Sequence, residues 1–121
     1  MKSHYHCVYD LNYHLVLVTK YRKKCLSSDI RTELKDIIER LLQDVQCELI
    51  EFNGEEDHIH VLFAAHPVVQ LSKLVCSVKT VTSRLVRKNH VAHFSKYYFK
   101  PVLWERAYCL LSTGGANIET I

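Results

Sequence analysis

Two kinds of hydrophobic spacing alternate along this chain, and their order limits the fold more than any other feature. Ile30, Leu34, Ile37, Ile38, Leu41, Leu42 and Val45 recur every three or four residues, the spacing of a helical stripe that faces a core. Leu71, Leu74, Val75, Val78, Leu85 and Val86 repeat that spacing within residues 70–88. Between and around the stripes lie four stretches rich in β-branched and aromatic residues: LNYHLVLVT (11–19), CELIEFN (47–53), HIHVLFAA (58–65) and RAYCLLST (106–113). Such stretches suit strands. GEED reads as the turn of a hairpin over 47–65, with Gly54 supplying backbone freedom, and Pro67 ends the hairpin. Ser27 or Ser28 can cap the first helix, with Asp29 favouring its positive end. KYRKK reads as a loop, NHVAHFSKYYFKP as a loop or irregular segment, and ANIETI as the first turn of a further helix. The order is β-α-β-β-α-β, which predicts an α+β ferredoxin-like domain. Both helices then cover one face of a four-stranded antiparallel sheet. The other face is left for a ligand, a partner or another subunit.

A chain of 121 residues with 48% hydrophobic and 24% charged residues is ordinary for one globular domain. There is no repeat and no linker, so residues 1–121 are expected to form one domain. No apolar run approaches the ~20 residues of a membrane span, and MKSHYHCVYD lacks the apolar centre of a secretory signal. The expected location is the cytoplasm, with no membrane partner. Five cysteines stand far apart with no CxxC, which favours small buried hydrophobes over a zinc site.

Charge is divided along the sequence. Residues 29–57 hold ten of the thirteen acids, whereas residues 58–104 hold none. An acid-free stretch of 47 residues is unusual because ordinary surfaces mix both signs. It points to a polyanion, and nucleic acid is the commonest one. The candidate contacts are Lys20, Arg22, Lys23 and Lys24 after the first strand, with Lys79, Arg84, Arg87 and Lys88 on the second helix. Tyr21, Tyr97, Tyr98 and Phe99 interleave aromatics with these cations; unpaired bases stack on such rings, although core packing is the plainer role for the last three.

On a strand His58 and His60 project to the same side, while Ile59, Val61 and Phe63 point to the other. Two imidazoles cannot close a structural zinc site. They can begin an open site completed by water, a substrate oxygen and one further side chain. The bare pattern is weak, since His4 and His6 repeat it near the start of the chain. His14, His66, His90 and His93 read as structural or surface residues.

YHLVLVTKYRKK, DHIHVLF and PVLWERAYCLLSTGG follow one another across this pattern. Together they resemble the single-tyrosine HUH transposases of small insertion sequences, the insertion sequence 200/605 type with REP-associated transposases included. The resemblance runs from about residue 10 to the end. It implies that His58-Ile59-His60 is the motif that binds Mg2+ or Mn2+. It also implies a homodimer that binds single-stranded hairpin DNA and cleaves and rejoins strands through a metal-assisted phosphotyrosine. In the family the tyrosine lies on a helix after the Gly-Gly turn. Here Gly114-Gly115 is followed only by Ala116 to Ile121, and none of the seven tyrosines occupies the matching place. The nucleophile is therefore expected beyond Ile121, and this chain is expected to bind hairpins without cleaving them. A non-catalytic module of RNA-recognition type, built on the same sheet, is the alternative.

Overall fold

A computed structural model describes residues 11–113; His4, His6, Cys7, Gly114-Gly115 and the tail lie outside that range. Four strands form one sheet in the order β2-β3-β1-β4, with β1 Leu11–Val18, β2 Glu48–Glu55, β3 His58–Ala65 and β4 Cys109–Ser112. All three pairings are antiparallel. Two long helices, α1 Ser28–Asp44 and α2 Leu71–Asn89, supply the rest of the ferredoxin-like frame. No described helix is long and apolar enough to cross a membrane.

The expected stripes form the core, except at the end of α1, where Val45 is exposed. Ile30, Leu34, Ile37, Ile38 and Leu42 of α1 are buried with Leu74, Val75, Val78 and Val86 of α2. They meet the sheet on the side of Leu15, Leu17, Ile59, Val61, Phe63 and Leu110. Ser27 caps α1, its hydroxyl accepting from the Ile30 amide. Past the end of α1, Gln46 takes a left-handed conformation with φ 62°, and the Cys47 amide returns to the Leu42 carbonyl. That is a helix stop made without glycine. Thr82 fills the gap in the α2 stripe; it is fully buried, donates to the Val78 carbonyl and accepts from Trp104 Nε1 at 2.9 Å. A buried hydroxyl is tolerable because it is paired.

Four expectations need correction. GEED is not the turn: β2 continues through Gly54 and Glu55, which pair with Ile59 and His58, so Glu56 and Asp57 alone make the connection. Their carbonyls are taken by the Leu26 and Thr19 amides, which ties the hairpin tip to the segment after β1. Gly54 matters for closeness instead, since a Cβ there would lie 2.9 Å from the His58 carbonyl oxygen. NHVAHFSKYYFKP is not a plain loop, because it holds a one-turn helix, α3 Val91–Phe94, and buries Phe94 and Tyr98. KYRKK opens with a 3-10 turn over Lys20–Arg22 in which Tyr21 and Arg22 have φ near 59° and 53°. Finally, β4 starts at Cys109 rather than at residue 106, so Tyr108 precedes it. Of the four described cysteines, Cys25 and Cys47 are buried, but Cys76 is exposed on α2.

Candidate metal centre and nucleic-acid interface

Alternation along β3 leaves Ile59, Val61 and Phe63 buried and His58 and His60 half-buried on the opposite face, away from the helices. The two rings are held from different sides. His58 Nδ1 lies 2.9 Å from Asp57 Oδ1, and Asp57 also receives Arg22 at 3.3 Å. A carboxylate on one ring nitrogen fixes the tautomer and orientation of the ring. The His58 hydrogen bond, opposed by burial and helped by Arg22, holds the Asp57 carboxyl below the usual range.

His60 has a partner that sequence reasoning missed. His14 on β1 places Nδ1 2.8 Å from His60 Nε2, with the rings stacked 4.7 Å apart at 14°. The register explains the meeting: Val16 stands opposite His60, and His14, two residues on, shares its face. Burial pushes the His60 imidazole below its ordinary value, and charge on His14 and His58 acts the same way against Glu51. A lowered value favours the neutral ring, the form a metal ion needs. With these partners taken, His58 Nε2 and His60 Nδ1 are the ring nitrogens left without a hydrogen-bond partner among the described residues. Among the described residues no three His, Cys, Asp or Glu side chains converge into a metal-holding group. Two imidazoles thus fit an open, incomplete shell rather than a closed structural one.

The cations fall into three groups. Lys20 lies 3.9 Å from Glu105 and 5.4 Å from the Tyr21 ring centre, Arg22 is on Asp57, and Lys23 and Lys24 are exposed. Lys79 is occupied, donating to the carbonyls of Glu105 and Arg106 at 2.8 and 2.7 Å; burial pushes its ammonium below the usual lysine value. Arg84, Arg87 and Lys88 line an open groove of about 500 Å³ together with Phe99 and Lys100. The first and third groups adjoin. Tyr98 donates to the Lys20 carbonyl at 2.7 Å, and His93 Nε2 lies 2.7 Å from the Cys25 carbonyl. Tyr98 is therefore a buried strut whose hydroxyl burial pushes up, and Tyr97 is half-buried against His93. Phe99 is wholly exposed.

The His-Ile-His face and the cationic end beside it stand on a four-stranded antiparallel sheet of a kind found in solved transposase structures. The family described as "Transposase IS200 like" matches residues 7–121, and the chain belongs to that family. It is 30% identical over 107 residues to the ISDra2 transposase TnpA of Deinococcus radiodurans, covering 87% of this chain and 74% of that one. To the transposase for insertion sequence element IS200 of Salmonella typhimurium it is 26% identical over 120 residues, covering 99% and 78%. A crystal structure from Deinococcus radiodurans, described as that of a transposase, superposes with TM-score 0.80 and 29% identity over 93% of this chain and 86% of that one. The REP-associated tyrosine transposase bound to a REP hairpin shares the fold, with TM-score 0.61 at 10% identity over 85% and 56% of the two chains.

Proposed function

We propose that this transposase binds hairpin ends of its insertion sequence as single-stranded DNA and takes part in their cleavage and rejoining with a divalent ion on His58 and His60. One observation supports the reading: two same-face imidazoles, each fixed on one nitrogen and, among the described residues, open on the other. Such an ion, when bound, polarises the scissile phosphate and offsets charge that develops on its oxygens. Imidazole donors suit manganese better than magnesium, which prefers an all-oxygen shell. The chain's own residues do the rest. Asp57 orients His58, and His14 holds the plane of His60. Lys20, Arg22, Lys23 and Lys24, with Arg84, Arg87 and Lys88, neutralise backbone phosphates and set the strand's position without reading its sequence. Lys79, with two carbonyls already on its ammonium, contributes to this surface through its charge. The attacking tyrosine hydroxyl comes from outside residues 11–113. A phosphotyrosine keeps the energy of the broken bond, so rejoining needs no nucleotide cofactor. The acting form is a homodimer, and an exposed sheet edge offers a route to it.

The test replaces His58 and His60 by alanine and titrates manganese by calorimetry. Hairpin oligonucleotides come from the DNA that flanks the gene. Manganese binding is expected to disappear while hairpin affinity stays within about twofold, since phosphate contacts dominate it. Undiminished manganese binding by the double variant would reject the site.

A further inference from the structure

The groove between the end of α2 and residues 94–101 has a composition that metal binding does not explain. Arg84, Arg87, Lys88 and Lys100 surround it, and among the described residues no carboxylate lines it. Arg87 is partly engaged by Ser83 at 2.9 Å. The floor is firm, because Phe94 and Tyr98 are buried and Tyr98 is tied to Lys20. The rim carries Phe99, with a relative exposure of 106%. Tyr98 takes the place in the core beside it, so the Phe99 ring contributes no packing. An exposed aromatic among cations is the make-up of a single-strand platform, in which phosphates meet the charges and a base face meets the ring.

We propose that this groove docks a single-stranded segment of nucleic acid, with an unpaired base on Phe99 and flanking phosphates on Arg84, Lys88 and Lys100. The proposal rests on the nucleic-acid reading above and adds a site to it. A volume of about 500 Å³ is that of a small-ligand cleft and admits a nucleotide or two, not a duplex. Paired bases also hide the faces that Phe99 would stack on. The groove is linked to the histidine end by three hydrogen bonds, Tyr98 to the Lys20 carbonyl, Arg22 to Asp57 and Asp57 to His58, with the short turn from Lys20 to Arg22 between the first two. It is therefore placed to hold unpaired DNA that continues past a hairpin.

The experiment uses the full chain and two labelled probes in fluorescence anisotropy. One is a single-stranded oligothymidine of about a dozen nucleotides, within the site size of such platforms. The other is a blunt hairpin from the gene's flanking DNA. Phe99→Ala is expected to weaken oligothymidine binding about tenfold and to leave the blunt hairpin unchanged, with Phe99→Trp restoring the loss. R84E/K88E should lower the salt slope for oligothymidine by about 1.4, two phosphates' worth. The proposal fails if wild type does not bind oligothymidine, or if Phe99→Ala binds it as wild type does. It fails equally if Phe99→Ala changes the oligomeric state without DNA in sedimentation, since the groove would then seat a second copy. Phe99-dependent oligothymidine binding without hairpin binding would support the groove and sink the hairpin reading alone.

Discussion

Gly54→Ala tests how tightly the hairpin that carries the histidine pair is built. Gly54 pairs with Ile59, the residue between His58 and His60. An added Cβ would lie 2.9 Å from the His58 carbonyl oxygen, 3.1 Å from Ile59 Cγ2 and 3.3 Å from Ile59 Cα. Two of those atoms are backbone, and Ile59 is fully buried, so no side chain can simply swing away. Forcing one methyl into such a place costs about 1–3 kcal/mol. Losing glycine's freedom in the unfolded chain returns about 0.4–1 kcal/mol. The net destabilisation is about 1–2 kcal/mol, which for a domain of this size lowers Tm by about 4–8 °C. Circular dichroism melts would read the shift, with urea unfolding expected to show a lower midpoint at constant slope. Manganese titration at 25 °C adds a local readout, because a displaced His58 carbonyl moves its imidazole while the protein stays folded. A variant that melts at or above the wild-type temperature would refute the close approach.

Three further outcomes are expected. Thr82→Val leaves buried Trp104 Nε1 without its acceptor, so urea unfolding should show a loss of about 1–3 kcal/mol, most of it restored by Thr82→Ser; a fully stable valine variant would show that the pair is unimportant. Burial raises the Glu33 carboxyl, but hydrogen bonds from His90 and Asn89 and the charge on His90 outweigh it and hold the group below its ordinary 4.5. A lowered folded value means the stabilisation is full above 4.5 and is lost as pH falls through the folded value. The stability gap between wild type and Glu33→Gln should therefore shrink in acid melts below that pH, and a constant gap would oppose it. Charge reversal at Lys23 and Lys24 should weaken hairpin binding and flatten its salt slope by about 2; unchanged affinity and slope in anisotropy would count against that loop.

The strands and helices were legible because each buries one face with a regular period. Residues 91–104 were not, and the reason is geometric: Phe94, Tyr98, Leu103 and Trp104 reach the core at steps of four, five and one, which match neither period. Gly54 misled for a different reason. Glycine beside acidic residues looks like a turn, and only the packed Ile59 shows that the strand needs it for close approach.

Of the candidate site, sequence could show the half that depends on one strand. His58 and His60 share a face because β3 alternates. Their partners depend on where strands slide relative to one another. His14 is 46 residues from His60, and a slip of β1 by one residue would turn its ring into the core. Asp57 looked like a turn residue, yet it is fixed between Arg22 and His58 by a hairpin tip whose carbonyls are bonded to the segment after β1. Lys79 shows the converse. It counts as a cation by composition, but its ammonium already serves two carbonyls, whereas Lys23 and Lys24 keep theirs in solvent. Charge counting therefore locates the cationic end, and hydrogen-bond accounting decides which of its members can meet a phosphate without first giving up a bond.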